Sequence, residues 1–288
     1  MNTGFCCRKW HRICSRENVL QLNAIKGNDQ MILENIIRKA AFATIVSLAA
    51  ISPVWAEEDN DLLPRDQVPG TFSASMTLAT DYIFRGISQT AQDPAVQGSI
   101  NYGLDTGFQG IGWYAGIWSS NIDFDNVGAG AAEIDLYTGL KGSVMGLGWD
   151  VSFLQYYYPG SQESLQYDYW EFIPKLSYDF GYFAVTGSLA YSPDFFAGTG
   201  DAIYYAADVS IPVYKSLSLI GHYGHQWVDG SRNGNSSEDY SDMKVGATAK
   251  ILGFNWELSY VNTFGYTADN VDSNLDGQRV LGAVTASF

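Results

Sequence analysis

The chain has 288 residues, of which 16% are charged, and a formal net charge of −15. That length fits one or two domains, and the acid excess excludes a nucleic-acid-binding face, which needs clustered Lys and Arg. Downstream of residue 56 the imbalance deepens to −19, because 28 acidic and only nine basic residues lie there.

In chain order, the first 56 residues do not read as a domain. Residues 31–56 have the layout of a signal peptide: Arg38 and Lys39 flank an apolar run over 40–51, and Val54-Trp55-Ala56 offers a small-x-small cleavage site before Glu57. The run is shorter than the roughly 20 residues a membrane span needs. Residues 1–30 are too long for a charged leader region, so Met31 reads as the true start and 1–30 as an upstream extension from a mis-assigned start. Cys6, Cys7 and Cys14 all fall in that extension, so the expected mature chain has no thiol chemistry, and no cofactor is expected. Residues 57–70 form a short acidic lead-in, assigned to the periplasmic side.

From residue 71 onward, segments of alternating apolar and polar character are bounded by Gly, Pro, Asn, Asp and Ser clusters. They predict twelve strands, over 72–85, 95–102, 112–119, 133–140, 147–157, 169–178, 183–191, 202–211, 217–228, 242–251, 254–262 and 279–288. No apolar run is long enough for a helical span. Connections after odd strands are long, whereas those after even strands are short, with 103–111 of intermediate length and 141–146 read as a six-residue link. Sorting loops this way onto two rims is the habit of outer-membrane barrels; a soluble sandwich, the competing all-β reading, has no reason for it.

Side-chain alternation assigns faces. On the first strand Phe72, Ala74, Met76, Leu78, Thr80, Tyr82 and Phe84 share the expected lipid side, opposite Ser73, Ser75, Thr77, Asp81 and Arg85. Aromatic residues near strand ends, Trp113, Trp118, Tyr156, Tyr157, Tyr158, Trp170, Trp227 and Tyr260, suit two interfacial girdles. The chain closes on 279–288, ending in Phe288, which is expected to be a lipid-facing assembly signal for the barrel-assembly machinery.

The segment Leu78-Ala79-Thr80-Asp81-Tyr82-Ile83-Phe84-Arg85-Gly86-Ile87-Ser88-Gln89-Thr90, followed by Asp93-Pro94-Ala95-Val96-Gln97-Gly98-Ser99, resembles the opening signature of the TorF family of porin-like proteins. Trp113-Tyr114-Ala115-Gly116-Ile117-Trp118-Ser119-Ser120-Asn121-Ile122-Asp123-Phe124, Glu133-Ile134-Asp135-Leu136-Tyr137 and Tyr156-Tyr157-Tyr158-Pro159-Gly160 extend the likeness over 71–288. The resemblance implies a secreted outer-membrane barrel more firmly than it implies transport.

Candidate functional residues follow from the inner face. Asp81 and Arg85, four apart at the outer end of one predicted strand, are candidates for a constriction or a loop anchor, with a structural ion pair as the alternative. Glu133, Asp135, Glu171, Lys175, Asp208 and Glu257 are further lumenal candidates. Eight inner acids, which also include Asp150 and Asp242, face five inner bases, Arg85, Lys175, Lys244, Lys250 and Arg279, and this predicts a weak cation preference. No enzyme is expected. His222 and His225 fall on opposite strand faces, and no G-x-S-x-G is present. Asp272, Asn274 and Asp276 match half of a calcium loop, but Ala283 stands where its closing Glu belongs, so no metal site is assigned.

The sequence therefore predicts an all-β, closed antiparallel transmembrane barrel of about twelve strands in a Gram-negative outer membrane. Its expected surroundings are outer-membrane lipids and lipopolysaccharide, and its expected role is passive diffusion of small polar solutes. The alternative is a non-conducting barrel with a plugged lumen whose loops bind a surface partner.

Overall fold

The computed structural model describes residues 69–124, 128–229, 239–265 and 277–288. The predicted extension, the signal peptide and almost all of the acidic lead-in lie outside the described residues. Twelve strands form the wall: β1 (Thr71–Ala79), β4 (Ala95–Asp105), β5 (Gly112–Asn121), β6 (Ala132–Val144), β7 (Leu147–Tyr157), β8 (Tyr169–Asp179), β9 (Ala184–Ser192), β10 (Ala202–Tyr214), β11 (Leu217–Val228), β12 (Tyr240–Ile251), β13 (Phe254–Phe264) and β14 (Arg279–Ser287). Each pairs antiparallel with its sequence neighbours, and β1 pairs with both β4 and β14, so the sheet closes. Closure pairs the backbone all round and leaves no free edge, the condition for a β-structure in lipid.

The loop rhythm holds. Turns at 106–111, 145–146, 180–183, 215–216 and 252–253 share one rim, and the longer connections share the other. Leu252 and Gly253 both have positive φ, as a two-residue type I′ hairpin requires. The predicted six-residue link 141–146 shrinks to two residues, because β6 runs on through Lys141 to Val144.

The first predicted strand needs a larger correction. It leaves the wall after Ala79, and residues 80–94 turn into the barrel as a small hairpin of β2 (Ile83–Phe84) and β3 (Ile87–Ser88). Alternation continues through Thr80–Arg85 in the sequence, so period alone did not mark the break. Tyr82, expected to face lipid, is buried and bonds to β6 inside the barrel, and Phe84 packs on Tyr156.

Burial is inverted relative to a soluble protein. Asp81, Glu133, Asp135, Glu171, Gln226 and Asp242 are buried, whereas Phe72, Ile100, Leu136, Val245, Leu258 and Val280 stand on the exposed face. Large exposed apolar surface around a charged interior suits a lipid solvent. Three residues of the predicted girdle belong elsewhere: Tyr156 and Tyr158 are buried, and Trp118 packs on the inturned Tyr82.

Above the wall, three long loops meet in an aromatic cap. Phe124, Tyr158, Tyr167, Phe195 and Phe196 cluster there, with Tyr167 stacked on Phe196 at 4.3 Å between ring centres. Tyr156 links the cap to the hairpin, stacking on Tyr169 at 4.2 Å and meeting Phe84 edge-on.

Candidate constriction site in the lumen

The inturned segment 80–94 occupies part of the lumen near the long-loop rim and is tied to the wall on several sides. Ser88 and Thr90 donate hydroxyl hydrogen bonds to Asp81 Oδ1 at 2.7 and 2.9 Å, which fold the segment on itself. Asp81 Oδ2 also accepts from Arg279 of β14 at 3.3 Å, so the hairpin base is pinned to the last strand. Tyr82 donates to Glu133 Oε1 of β6 at 3.0 Å.

Arg85 at the hairpin tip reaches the far wall. Its guanidinium donates to Glu171 Oε2 of β8 at 2.6 Å and to Gln226 Oε1 of β11 at 2.8 Å. It also lies over the rings of Phe84 and Tyr204, at 4.7 and 4.3 Å, a cation–π arrangement. Arg85 has positive φ, as does Gly86 behind it. A Cβ on Gly86 would fall 2.5 Å from Thr263 Oγ1 and 2.6 Å from Asp242 Cβ, so only glycine passes there. The Gly86 carbonyl accepts from Thr263 at 2.7 Å. Burial by itself would lower the Arg85 pKa; the Glu171 carboxylate more than offsets this, and the guanidinium is held above its ordinary value. It is a fixed positive charge in the inturned loop, outside the spanning strands.

Asp81 and Arg85 thus both face the interior, but they are neither on one strand nor partners of each other. Each pairs with the wall. Glu133, Asp135, Glu171, Lys175, Asp208 and Glu257 all project inward, and most are engaged. Glu257 accepts from Lys244 at 3.1 Å, and Asp208 accepts from His222 Nδ1 at 2.7 Å. Glu133 and Asp135 lie two apart on β6, both buried, with Glu133 Oε2 and Asp135 Oδ1 unbonded among the described residues. The weak calcium candidates Asp272, Asn274 and Asp276 lie outside the described residues.

Sequence reading missed Gln226 and Lys141 as inner residues and left His222 without a role. His222 bridges Asp208 and Asp242, whose Oδ1 stands 3.0 Å from its Nε2, and Tyr204 donates to Asp242 Oδ2 at 2.9 Å. His225 lies on the opposite face against Ser241 and Tyr205. Alternation along β11 could have placed Gln226 with His222. The end of β6 hid Lys141, because Gly142 beside it reads as a turn residue.

Beneath the hairpin the lumen remains hollow. One cavity of about 320 Å³ lies against Arg85, Lys175, Tyr204, His222 and Lys244, and another of about 270 Å³ against Asp81, Gln97, Thr248, Glu257 and Thr285. A wider space of about 720 Å³ opens toward the short-turn rim, lined by Asp105, Lys141, Ser143, Asp150, Lys175, Ser177 and Thr186. Inner tyrosines keep it clear by lying flat on glycines of the next strand. Tyr137 covers Gly116 and bonds Asn101; Tyr114 covers Gly139 and donates to Asp150 at 2.7 Å.

Three solved structures are distantly similar to the chain. The NanC porin superposes with a TM-score of 0.48 at 9% identity, covering 76% of this chain and 99% of that one. An outer membrane channel from Pseudomonas putida F1 gives 0.44 at 12% identity, covering 81% and 99%. Salmonella typhi OmpF, in complex with daunomycin, gives 0.45 at 7% identity, covering 76% and 97%. These likenesses are distant and assign no activity. No curated protein is a significant match to the sequence. A family model described as a bacterial protein of unknown function, Gcw_chp, matches residues 65–288, and the chain belongs to that family.

Proposed function

We propose that the protein is a porin-like channel of the Gram-negative outer membrane, passing small polar solutes around an inturned first loop that sets the size limit. One observation carries the reading: the hairpin 80–94 lies inside the barrel against cavities of about 320 and 270 Å³, and a wider space of about 720 Å³ opens toward the short-turn rim. A packed structural barrel would fill that space with side chains, as small barrels do. The inverted burial and the motifs resembling the TorF family support the same location and role, as does the predicted signal peptide cleaved near Ala56.

A second reading, a plugged barrel that binds through its loops, draws on the number of ties holding the hairpin. Liposome swelling separates the two. Purified protein reconstituted into vesicles is expected to admit a pentose and to exclude a trisaccharide; no swelling with any sugar would establish the plugged form.

Charge preference should be slight. The acid excess that suggested cation selectivity is largely spent in pairs, Asp81 on Arg279, Glu171 on Arg85, Glu257 on Lys244, and Asp208 and Asp242 on His222.

A further inference from the structure

We propose that the cavity of about 320 Å³ beneath Arg85 is a binding subsite for a small organic anion, with Lys175 and Lys244 holding its negative group. The proposal rests on solutes reaching the lumen, as argued above. It reverses the polarity expected from counting inner charges.

Four basic side chains, Arg85, Lys175, His222 and Lys244, line this cavity against one acid, Asp242. That acid is already occupied, accepting from Tyr204 and facing His222 Nε2 at 3.0 Å. Arg85 is committed to Glu171 and Gln226, so it contributes a fixed field rather than a free donor. The two lysines differ. The Lys175 side chain forms no hydrogen bond or ion pair among the described residues, only its backbone pairing in the sheet. Lys244 holds Glu257 at 3.1 Å in a partly exposed pair, which a competing anion can share.

Register explains why Lys175 is left over. It stands opposite Asp150 on β7, but Asp150 is also opposite Lys141 on β6, and its Oδ1 takes the Tyr114 hydroxyl. One carboxylate thus stands in register with two lysines and is bonded to a phenol, leaving surplus positive charge on the β6–β8 wall. Lys175 is moreover the residue common to this cavity and to the wide space below it, so it stands where an anion would pass from one to the other.

The rest of the lining sets the ligand's body. Phe84, Tyr156, Ile173, Tyr204, Val261 and Leu281 supply rings and aliphatic surface. The volume lies at the low end of the roughly 300–1,000 Å³ typical of small-molecule sites. A compact carboxylate with an apolar or aromatic body fits both requirements, whereas an inorganic anion would leave the apolar wall uncovered.

Benzoate is the probe, with benzyl alcohol as its uncharged counterpart. Saturation-transfer NMR on the detergent-folded, full-length barrel reads binding without requiring conduction. Benzoate is expected to bind at least tenfold more tightly than benzyl alcohol, and Lys175→Gln to weaken it about tenfold. Lys244→Gln should weaken it less, and Lys175→Arg should keep it. Lys215→Gln, on the short-turn rim, should change nothing. Heat-modifiable gel migration checks that each variant is a closed barrel. Equal binding of the two probes, or benzoate binding indifferent to both lysines, would overturn the subsite. Sugar permeation without benzoate binding refutes the subsite and leaves the channel standing; benzoate binding in a barrel that admits no sugar does the reverse.

Discussion

At the scale of single residues, Arg85 is the side chain on which the constriction turns. Its ion pair with Glu171 is almost wholly out of water, with side-chain exposures of 7% and 1%. Solvent screening therefore does little to weaken it. Removing one member of such a pair leaves the other charge buried and alone, at a cost of about 3–5 kcal/mol. Arg85→Ala is accordingly expected to lower the barrel's melting temperature, release the hairpin tip and raise single-channel conductance in planar bilayers. Arg85→Lys keeps the charge but cannot span both Glu171 and Gln226 with a planar fork, and should fall between. A current unchanged by either substitution would show that the hairpin tip does not bound the pore. Parity in the sequence pointed Glu133, Glu171 and Lys175 inward, whereas Asp81 and Arg85 are inside because the whole segment 80–94 turns in. It could not supply their partners, because those depend on which distant strands face each other across the lumen.

At the scale of elements, alternation located all twelve wall strands. It failed where a segment keeps the strand rhythm without staying in the sheet. Thr80 to Arg85 is such a segment, and only the left-handed pair Arg85 and Gly86 hints at the turn. The tyrosines lying flat on the inner wall were equally hidden, since each needs a glycine on a neighbouring strand at matching register. That matching has a measurable outcome. In Gly139→Ala the new Cβ would sit 2.6 Å from the Tyr114 ring and 2.8 Å from the Val151 carbonyl oxygen, so the ring must swing into the wide lower space and the β6–β7 backbone must give. Conductance is expected to fall, and adding Tyr114→Ala should restore part of it. A Gly139→Ala channel with full conductance would mean that the lower lumen does not limit flow.

At the scale of the whole molecule, closure is the property that the rest depends on. The seam pairs β1 with β14 from Ser75 opposite Ser287 to Ala79 opposite Ala283. Beyond it, Phe288 exchanges backbone hydrogen bonds with Ala74 at 2.9 and 3.1 Å while its ring stands exposed. Deleting Phe288 removes both bonds and the terminal aromatic group. The yield of assembled barrel in the outer membrane is expected to fall, with export across the inner membrane intact, as fractionation and heat-modifiable migration would show. Full yield would assign the assembly signal elsewhere in β14.

At its other end the same seam is finished by the inturned segment. Thr80 exchanges hydrogen bonds with Gly282, and Asp81 takes Arg279, at the place where β1 has already left the wall. The constriction and the last stitch of the cylinder are therefore made from one stretch of chain. Arg279 has its carboxylate only while residues 80–94 are indoors, so the inturned loop and the lock on the final strand stabilise each other. It also means that the loop cannot swing out as a free door, because opening it from its base would unpick the cylinder.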